Sequence, residues 1–473
     1  MGKIVFVTFT TPKGFYLYDR NMNSLLRISK YEYDGINGKD IHIRDAIIKD
    51  LQEKGFCKEG RLEKIEHPDL KYLKYHLDSN IQQITLQVTQ NCNLRCGYCA
   101  YSGNYEQRVH NNKTMDFETA KKCIDYGMKH SANTDMISIA FYGGEPLLQI
   151  ELIKKCIEYI NANYPEKEIM YTTTTNGTLL TEDIVNYFES IDFNVNISLD
   201  GPQDIHDKQR KFADGRGSFQ LIFKNLQNIK ENHPEFYKKV TFNTVISPTS
   251  DLKCVKDFFK AETVLEDRII RKNTVSNLGS TTPIVYNDYY YITYRYEFMK
   301  VLLNLIGEID NSLISPLFSN EISQYKTFYE RLSTRSELPE VAHHGGPCVP
   351  GARRLFINVE GDMYPCERVS ETSDAMKIGH IDTGIDTDKA SELINIGNLT
   401  KDECLSCWNL LYCGMCAAFA DMNGKLEKSQ KLSYCNAMKE DTIFKMSTLC
   451  MLREFGIQPE EALNDEKVSS ISV

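Results

Sequence analysis

The chain has 473 residues and a formal charge of −10, from 55 lysines and arginines against 65 aspartates and glutamates. That balance argues against a surface built to coat nucleic acid, and 41% hydrophobic with 25% charged residues is the composition of a globular chain with room for about three domains. No run approaches the roughly 18 apolar residues of a membrane span, and the opening MGKIVFVTFTTPKGF lacks a signal-peptide core, so the expectation is a cytoplasmic protein with no membrane or nucleic-acid partner.

Three β-like runs open the chain at 4–9, 14–18 and 24–28, followed by helical segments at 30–35 and 44–55. The second helix is apolar at Ile47, Ile48 and Leu51, and Gly55 lies just past its end. In pattern and position this unit resembles the RiPP recognition element, a winged-helix-like module. That resemblance implies a precursor-peptide partner whose leader is captured as an added strand. The other reading is a capping unit without a ligand. Residues 57–80, rich in Lys, Glu and His, read as a solvated linker, which sets a first domain at 1–80.

Strand patterns at 84–89, 137–142, 169–175, 193–199, 240–246 and 268–274 alternate with amphipathic segments at 116–129, 150–163, 181–190, 217–232 and 251–259. Such alternation predicts βαβ units and a parallel α/β sheet over 81–275, with chemistry at the C-terminal strand ends. The first strand runs into Cys92, Cys96 and Cys99, three soft ligands on one short loop. A 4Fe–4S cluster held this way keeps one iron without a protein ligand; half a zinc site or buried thiols are the plain alternatives. The later strands end in Gly143-Gly144-Glu145-Pro146, in Thr175-Asn176-Gly177 and in Ser198-Leu199-Asp200-Gly201-Pro202, with Arg210 beyond.

Each of these is a turn signal alone. Their order after Cys-x3-Cys-x2-Cys resembles the radical S-adenosylmethionine (SAM) family. The resemblance implies a partial (β/α)6 TIM-like barrel with a 4Fe–4S cluster on Cys92, Cys96 and Cys99 whose open iron chelates SAM. It implies SAM contacts from Tyr98, Gly143, Gly144, Glu145, Asn176, Ser198 and Asp200, with Arg210 pairing the SAM carboxylate.

From about residue 276 the pattern changes. Residues 289–309 read as a long aromatic-faced helix, 312–338 are uninformative, and 276–345 count as a connecting region. Seven cysteines then follow: Cys348, Cys366, Cys404, Cys407, Cys413, Cys416 and Cys435. They resemble the SPASM domain of peptide-modifying radical SAM enzymes, placed at 346–450 before a tail at 451–473. The resemblance implies two auxiliary 4Fe–4S clusters, three in all, with one auxiliary cluster on Cys404, Cys407, Cys413 and Cys435. The other uses Cys348, Cys366 and Cys416. Two residues separate Cys413 from Cys416 where the family has three. Sulfatase maturases carry a further cysteine where this chain has Arg354, so one auxiliary iron is left for a substrate thiolate, unless His343 or His344 fills it; a loop histidine is more often at the surface. Zinc on Cys404, Cys407, Cys413 and Cys416 is the competing reading. Glu367 stands where sulfatase maturases have a catalytic aspartate, and is a candidate base or an ion-pair partner of Arg353, Arg354 or Arg368. Cys123 and Cys156 lie on apolar helix stripes and read as core.

The resemblance implies a maturase that cleaves SAM reductively with electrons from a flavodoxin or ferredoxin. It would join a cysteine sulfur to carbon in a ribosomally made peptide, as in sactipeptides and ranthipeptides. The alternatives are formylglycine formation, another peptide crosslink, and a non-catalytic iron–sulfur or zinc scaffold.

Overall fold

The structure is a computed structural model and describes residues 3–105, 108–319, 321–334 and 337–457. Residues 458–473 of the expected tail lie outside the described residues. The chain begins with an antiparallel sheet of β1 (Phe6–Thr11), β2 (Gly14–Asp19) and β3 (Ser24–Ile28), followed by α1 (Lys30–Asn37) and α2 (Ile41–Glu53). Helix α2 starts three residues before its sequence pattern because Asp40 caps it, accepting from the His42 and Ile43 backbone N–H groups. Ile28, Ile36, Ile47 and Leu51 pack with Leu17 and Cys57 into a small core of their own.

Residues 57–80 are not a solvated linker. They carry a short strand, β4 (Lys64–Ile65), and a helix, α3 (Leu73–Ser79). Leu73 and Leu77, one helical turn apart, are buried against Ala352 and Ala390. Lysines and glutamates on the outer side hid this narrow apolar stripe from a reading by composition.

The central sheet has the strand order β10-β9-β8-β7-β6-β5-β12-β13-β14-β15. Strands β5 (Gln83–Thr89), β6 (Met136–Gly143), β7 (Glu168–Thr175), β8 (Asn194–Ser198), β9 (Val240–Ile246) and β10 (Ile270–Thr274) run parallel in chain order. Between them lie α4 (Phe117–Lys129), α5 (Ile150–Asn163), α6 (Glu182–Ser190), α7 (Gln203–Gln209), α8 (Phe219–Asn232), α9 (Pro234–Tyr237) and α10 (Leu252–Ala261). Ile84, Leu86 and Val88 of β5 and Ile137, Ile139 and Phe141 of β6 are buried, as strands covered on both faces must be. Asp116 and Asp251 cap α4 and α10 through backbone N–H groups, which fixes both helix starts.

The expected boundary between a barrel and a separate cysteine domain is not where the sheet ends. After α11 (Asp288–Leu305), α12 (Glu321–Thr334) and β11 (Val341–Ala342, paired with β4), strand β12 (Leu355–Ile357) joins β5 in parallel, with Leu355 opposite Ile84. The antiparallel strands β13 (Asp362–Tyr364), β14 (Gly379–His380) and β15 (Gly384–Ile385) extend that edge. Three-residue strands give no period to read in a sequence. The remaining helices are α13 (Thr387–Ile394), α14 (Lys401–Leu405), α15 (Lys428–Ser433) and α16 (Cys435–Glu454).

The first and last parts of the chain meet. The Tyr16 hydroxyl donates to Glu454 over 2.8 Å. Arg20, in the turn after β2, donates to the carbonyls of Leu405 (2.7 Å) and Cys407 (3.4 Å). Tyr18 packs edge-on against Trp408 and Tyr412.

The docking of α3 predicts that Leu77→Ala lowers unfolding stability by about 2–5 kcal/mol, the range for emptying a core position. A solvated linker would change by no more than about 0.5 kcal/mol; urea midpoints of the two chains decide between them.

Candidate active site

The cysteine loop leaves β5 at Thr89 and is held on both sides by backbone. On one side, Gly144 N–H donates to Thr89 O (3.0 Å) and Glu145 N–H to Asn91 O (2.9 Å). A Cβ on Gly143 would lie 2.0 Å from Thr89 O, and one on Gly144 2.2 Å from Asn91 O. Gly143 also sits at φ +147°, which disfavours any other residue. The two glycines, expected to bring backbone to a ligand, bring it first to the cysteine loop. On the other side, Arg95 N–H donates to Lys211 O (2.7 Å), Gly97 N–H to Gln209 O (3.1 Å) and Ala213 N–H to Asn93 O (3.2 Å).

Glu145 is fully buried. Its carboxylate accepts from the Thr175 hydroxyl (2.7 Å), Asn176 N–H (2.7 Å) and Leu147 N–H (3.1 Å). It therefore clasps the ends of β6 and β7 together. Burial pushes this carboxyl up, and the three donors pull it back. Asn176 passes the hold to the loop: its Nδ2 donates to Asn93 Oδ1 (2.8 Å) and points at Cys92 Sγ (3.9 Å).

Ser198 closes β8, and Asp200 follows as a buried hub. Its Oδ1 accepts from Val245 N–H (3.0 Å), and its Oδ2 accepts from Arg210 Nε (2.9 Å) and from the Tyr98 hydroxyl. The Arg210 guanidinium lies over the Tyr98 ring and directs Nη1 at Cys96 Sγ, 3.9 Å away. Burial lowers the Arg210 pKa, but Asp200 and its neighbours outweigh it, so the guanidinium stays charged. Part of Arg210 is thus committed inside the protein.

Six of the candidate sulfurs share a feature. The backbone N–H two residues on donates to Cys92 Sγ (from Leu94, 3.4 Å) and to Cys99 Sγ (from Tyr101, 3.5 Å). The same bond runs from Arg368 to Cys366, Asn409 to Cys407, Met415 to Cys413 and Ala418 to Cys416. An N–H aimed at sulfur favours thiolate over thiol. With burial the largest cause, the thiols of Cys92 and Cys96 are pushed up to about 12 and those of Cys366 and Cys413 to about 11. A metal centre reverses that by holding the thiolate directly. Cys123 and Cys156 are buried among apolar side chains, as their helix stripes predict.

The thiols fall into three neighbourhoods. Cys92, Cys96 and Cys99 act on one another electrostatically. So do Cys404, Cys407, Cys413 and Cys435. Cys416 instead interacts with Cys348, and Cys366 with Cys416. Among the described residues no three His, Cys, Asp or Glu side chains converge on a single ion. In a cubane each cysteine holds its own iron, so this soft donor set fits iron–sulfur clusters.

His343 and His344 are buried, contrary to the surface expectation for loop histidines. His343 Nε2 accepts from Gly397 N–H (2.9 Å), and burial pushes its pKa down to about 4. Glu367 forms the ion pair foreseen as its second reading, with Arg354 at 2.7 Å. Its other carboxylate oxygen is buried with no hydrogen-bond partner among the described residues.

Several contributors carried no sequence signal. Arg108, in the stretch after the cysteine loop, is buried with Glu371 as an ion pair and donates to Glu367 O (2.6 Å). Glu371 also accepts from Gln87 (2.7 Å) and Gln90 (3.2 Å) of the first strand and its exit. This network joins the Cys99 side of the site to the Cys366 side. Single residues in aperiodic loops leave no pattern to detect. A cavity of about 330 Å³, lined by Leu278, Arg368, Val369, Ser370, Ala418 and Asp421, opens where Arg368 and Ala418 bond Cys366 and Cys416.

Residues 86–261 match the family model of the Radical SAM superfamily. The chain contains a radical SAM domain. The uncharacterized protein MJ0907 of Methanocaldococcus jannaschii is 40% identical over 157 residues, 33% of this chain and 51% of that one. The chain thus spans about half the length of that relative. A cysteine-type anaerobic sulfatase-maturating enzyme of Clostridium novyi is 27% identical over 330 residues, 68% of this chain and 81% of that enzyme. The solved structure "Native anSMEcpe with bound AdoMet" aligns with a TM-score of 0.56 at 19% identity, covering 77% of this chain and 99% of that one. The radical SAM domain therefore sits in a fold shared with that structure. Among the described residues no helix is long and apolar enough to cross a membrane.

His206 supplies a pH test of the Asp200 hub. Its Nδ1 accepts the Asp200 N–H (3.3 Å) and its Nε2 meets Ser218 Oγ (3.0 Å). Burial, partly offset by Asp200, pushes its pKa down to about 4. The unfolded chain takes up this proton near 6.5, so between about 6.5 and 4 the unfolded state binds more protons. Stability is full above that window and falls as pH drops through it. His206→Gln is expected to show a shallower loss from pH 7 to 5 than the parent in parallel urea titrations. An equal slope would mean that His206 charges without penalty.

Proposed function

We propose that the chain is a radical SAM peptide maturase with three 4Fe–4S clusters, which closes a thioether between a cysteine sulfur and a carbon of a ribosomally made peptide. What supports the reading is the division of its thiols into three neighbourhoods, with only three cysteines in the one that contains Cys348, Cys366 and Cys416. Arg354, the position of a further cysteine in sulfatase maturases, is engaged with Glu367.

When bound, the cluster on Cys92, Cys96 and Cys99 and SAM supply a 5′-deoxyadenosyl radical able to take a hydrogen atom. Arg210, Asp200 and Tyr98 hold the cysteine loop against β8 and keep a positive charge beside Cys96. Asn176 and Glu145 fix the loop's other flank. Glu367 takes a proton at its unpartnered oxygen, with Arg354 holding the opposite one. The cavity beside Cys366 and Cys416 admits the peptide's thiol. The open edge of β3 offers the leader a strand to pair with, and a flavodoxin or ferredoxin supplies electrons.

A second reading, formylglycine formation on a Cys or Ser side chain, draws equal support from the 27% identity to the Clostridium novyi enzyme over 81% of its length. The anaerobically reconstituted, reduced chain should release 5′-deoxyadenosine from SAM, and Cys96→Ala should not. Co-expressed with its precursor, it should remove the mass of two hydrogens per thioether and one alkylatable thiol per link. Replacement of sulfur by oxygen together with loss of two hydrogens, or loss of two hydrogens from a serine with every thiol still alkylatable, would instead establish formylglycine. Failure to cleave SAM with all three clusters in place would sink both readings. Glu367→Gln is expected to slow peptide modification about 100-fold or more, the scale of a general base, while SAM cleavage persists; unchanged modification removes Glu367 from the reaction.

A further inference from the structure

Two cations are buried beside the Cys404 neighbourhood without an ion pair to a carboxylate among the described residues. Lys431 of α15 is 1% exposed and Arg20 is 2% exposed. Glu403, whose charge is felt at Lys431, is itself bonded to Lys428 at 2.8 Å. Arg20 spends its Nε and Nη2 on Asn21 Oδ1 (3.1 and 2.8 Å) and its Nη1 on the carbonyls of Leu405 and Cys407. A buried ion is tolerated when an opposite charge lies close by.

For Arg20 the neighbouring buried Asp19 supplies part of that charge, and for Lys431 the hydrogen bonds lead to a sulfur. The Lys431 ammonium can only donate, and Nζ lies 2.7 Å from Thr400 Oγ1. The Thr400 hydroxyl accepts there and keeps its own proton to give, and Cys404 Sγ lies 3.2 Å from the same oxygen. A thiolate at Cys404, the form in which cysteine binds a metal, would accept that proton. The Lys431 charge also acts on Cys413 and Cys435, and the Arg20 charge interacts with Cys407. Thr400 is fully buried, so water does not compete for this relay.

We infer that Lys431, acting through Thr400, and Arg20 are the built-in counter-charge of an iron–sulfur centre on Cys404, Cys407, Cys413 and Cys435, and that they make this centre easier to reduce. The inference rests on the proposed reading of those four cysteines as ligands. Four thiolates on a dipositive cubane core leave two negative charges, which Lys431 and Arg20 oppose; Lys439 adds to them at Cys407 and Cys435, and Glu403 works against them at Cys435. Adding one electron beside these cations then costs less than it would beside an unopposed negative centre. Net charge and hydrogen bonds to sulfur are the levers that set such potentials. Lys431 and Thr400 are positioning residues: neither is a ligand in this account.

The test is an anaerobic redox titration of the fully loaded chain followed by electron paramagnetic resonance, with iron counted on the same samples. Lys431→Met should lower the midpoint of one centre by at least a tenfold loss in its reduction constant, 59 mV for one electron. The other centres should stay in place. Lys431→Arg should restore most of the loss, and Thr400→Val, which keeps the charge and breaks the relay, should give a smaller shift. Cys404→Ser should alter the same centre. Full iron with unshifted midpoints in both Lys431→Met and Thr400→Val overturns the inference and leaves the cluster reading intact. If Lys431→Met does not retain iron, an unshifted Thr400→Val overturns the inference by itself. A Cys404→Ser chain whose centres are all unaltered in iron content, midpoint and spectrum overturns the ligand reading, and the inference with it.

Discussion

The mouth of the central sheet depends on backbone lying against backbone, where β6 leaves the sheet beside the loop that leaves β5. Gly143 and Gly144 have no Cβ, and that single lack allows Thr89 and Asn91 to come within hydrogen-bonding distance. The contact sets where Asn91 and Cys92 stand. Cys96 and Cys99 follow, because the stretch from Gln209 to Ala213 grips the loop from the far side. The geometry of three thiols is thus written into main-chain contacts. A metal centre that needs ligands at fixed separations loses little ordering entropy on such a frame.

Charge is arranged around sulfur with the same economy. Each neighbourhood of thiols has a cation: Arg210 at Cys96, Arg353 at Cys348, Arg20 and Lys431 around Cys404 and Cys407. Backbone N–H groups two residues downstream add to this at Cys92, Cys99, Cys366, Cys407, Cys413 and Cys416. Cys123 and Cys156 lie instead among Ile124, Ile153 and Ile157.

Long elements were legible in the sequence. Helix α5 and strand β9 have the bounds that their periodicity predicts, since fourteen residues of helix or a seven-residue strand give several repeats to read. The motifs at the strand ends were legible for a different reason: glycine and carboxylate requirements at a turn leave few substitutes. What escaped was short or solitary. Strand β12 has three residues, and α3 hides its stripe under charged neighbours. Arg108, Glu371, Thr400 and Lys431 each make their contacts with residues far away in the chain, and nothing local distinguishes them from surface residues. His343 and His344 were misread because loop histidines are more often at the surface, whereas here His343 takes the Gly397 N–H and both rings are buried.

The meeting of Tyr16 with Glu454 and of Arg20 with Leu405 has a temporal side. These contacts span 438 and 385 residues. During synthesis at roughly 5–20 residues per second, the first sheet emerges about 20–80 s before the segment that secures it. In that interval the turn at Arg20 is an exposed cation with no seat. A nascent chain truncated before α14 would hold that turn through Leu338 N–H to Asn21 O and Asn23 Nδ2 to Arg331 O, with the Arg20 and Tyr16 contacts still to be made.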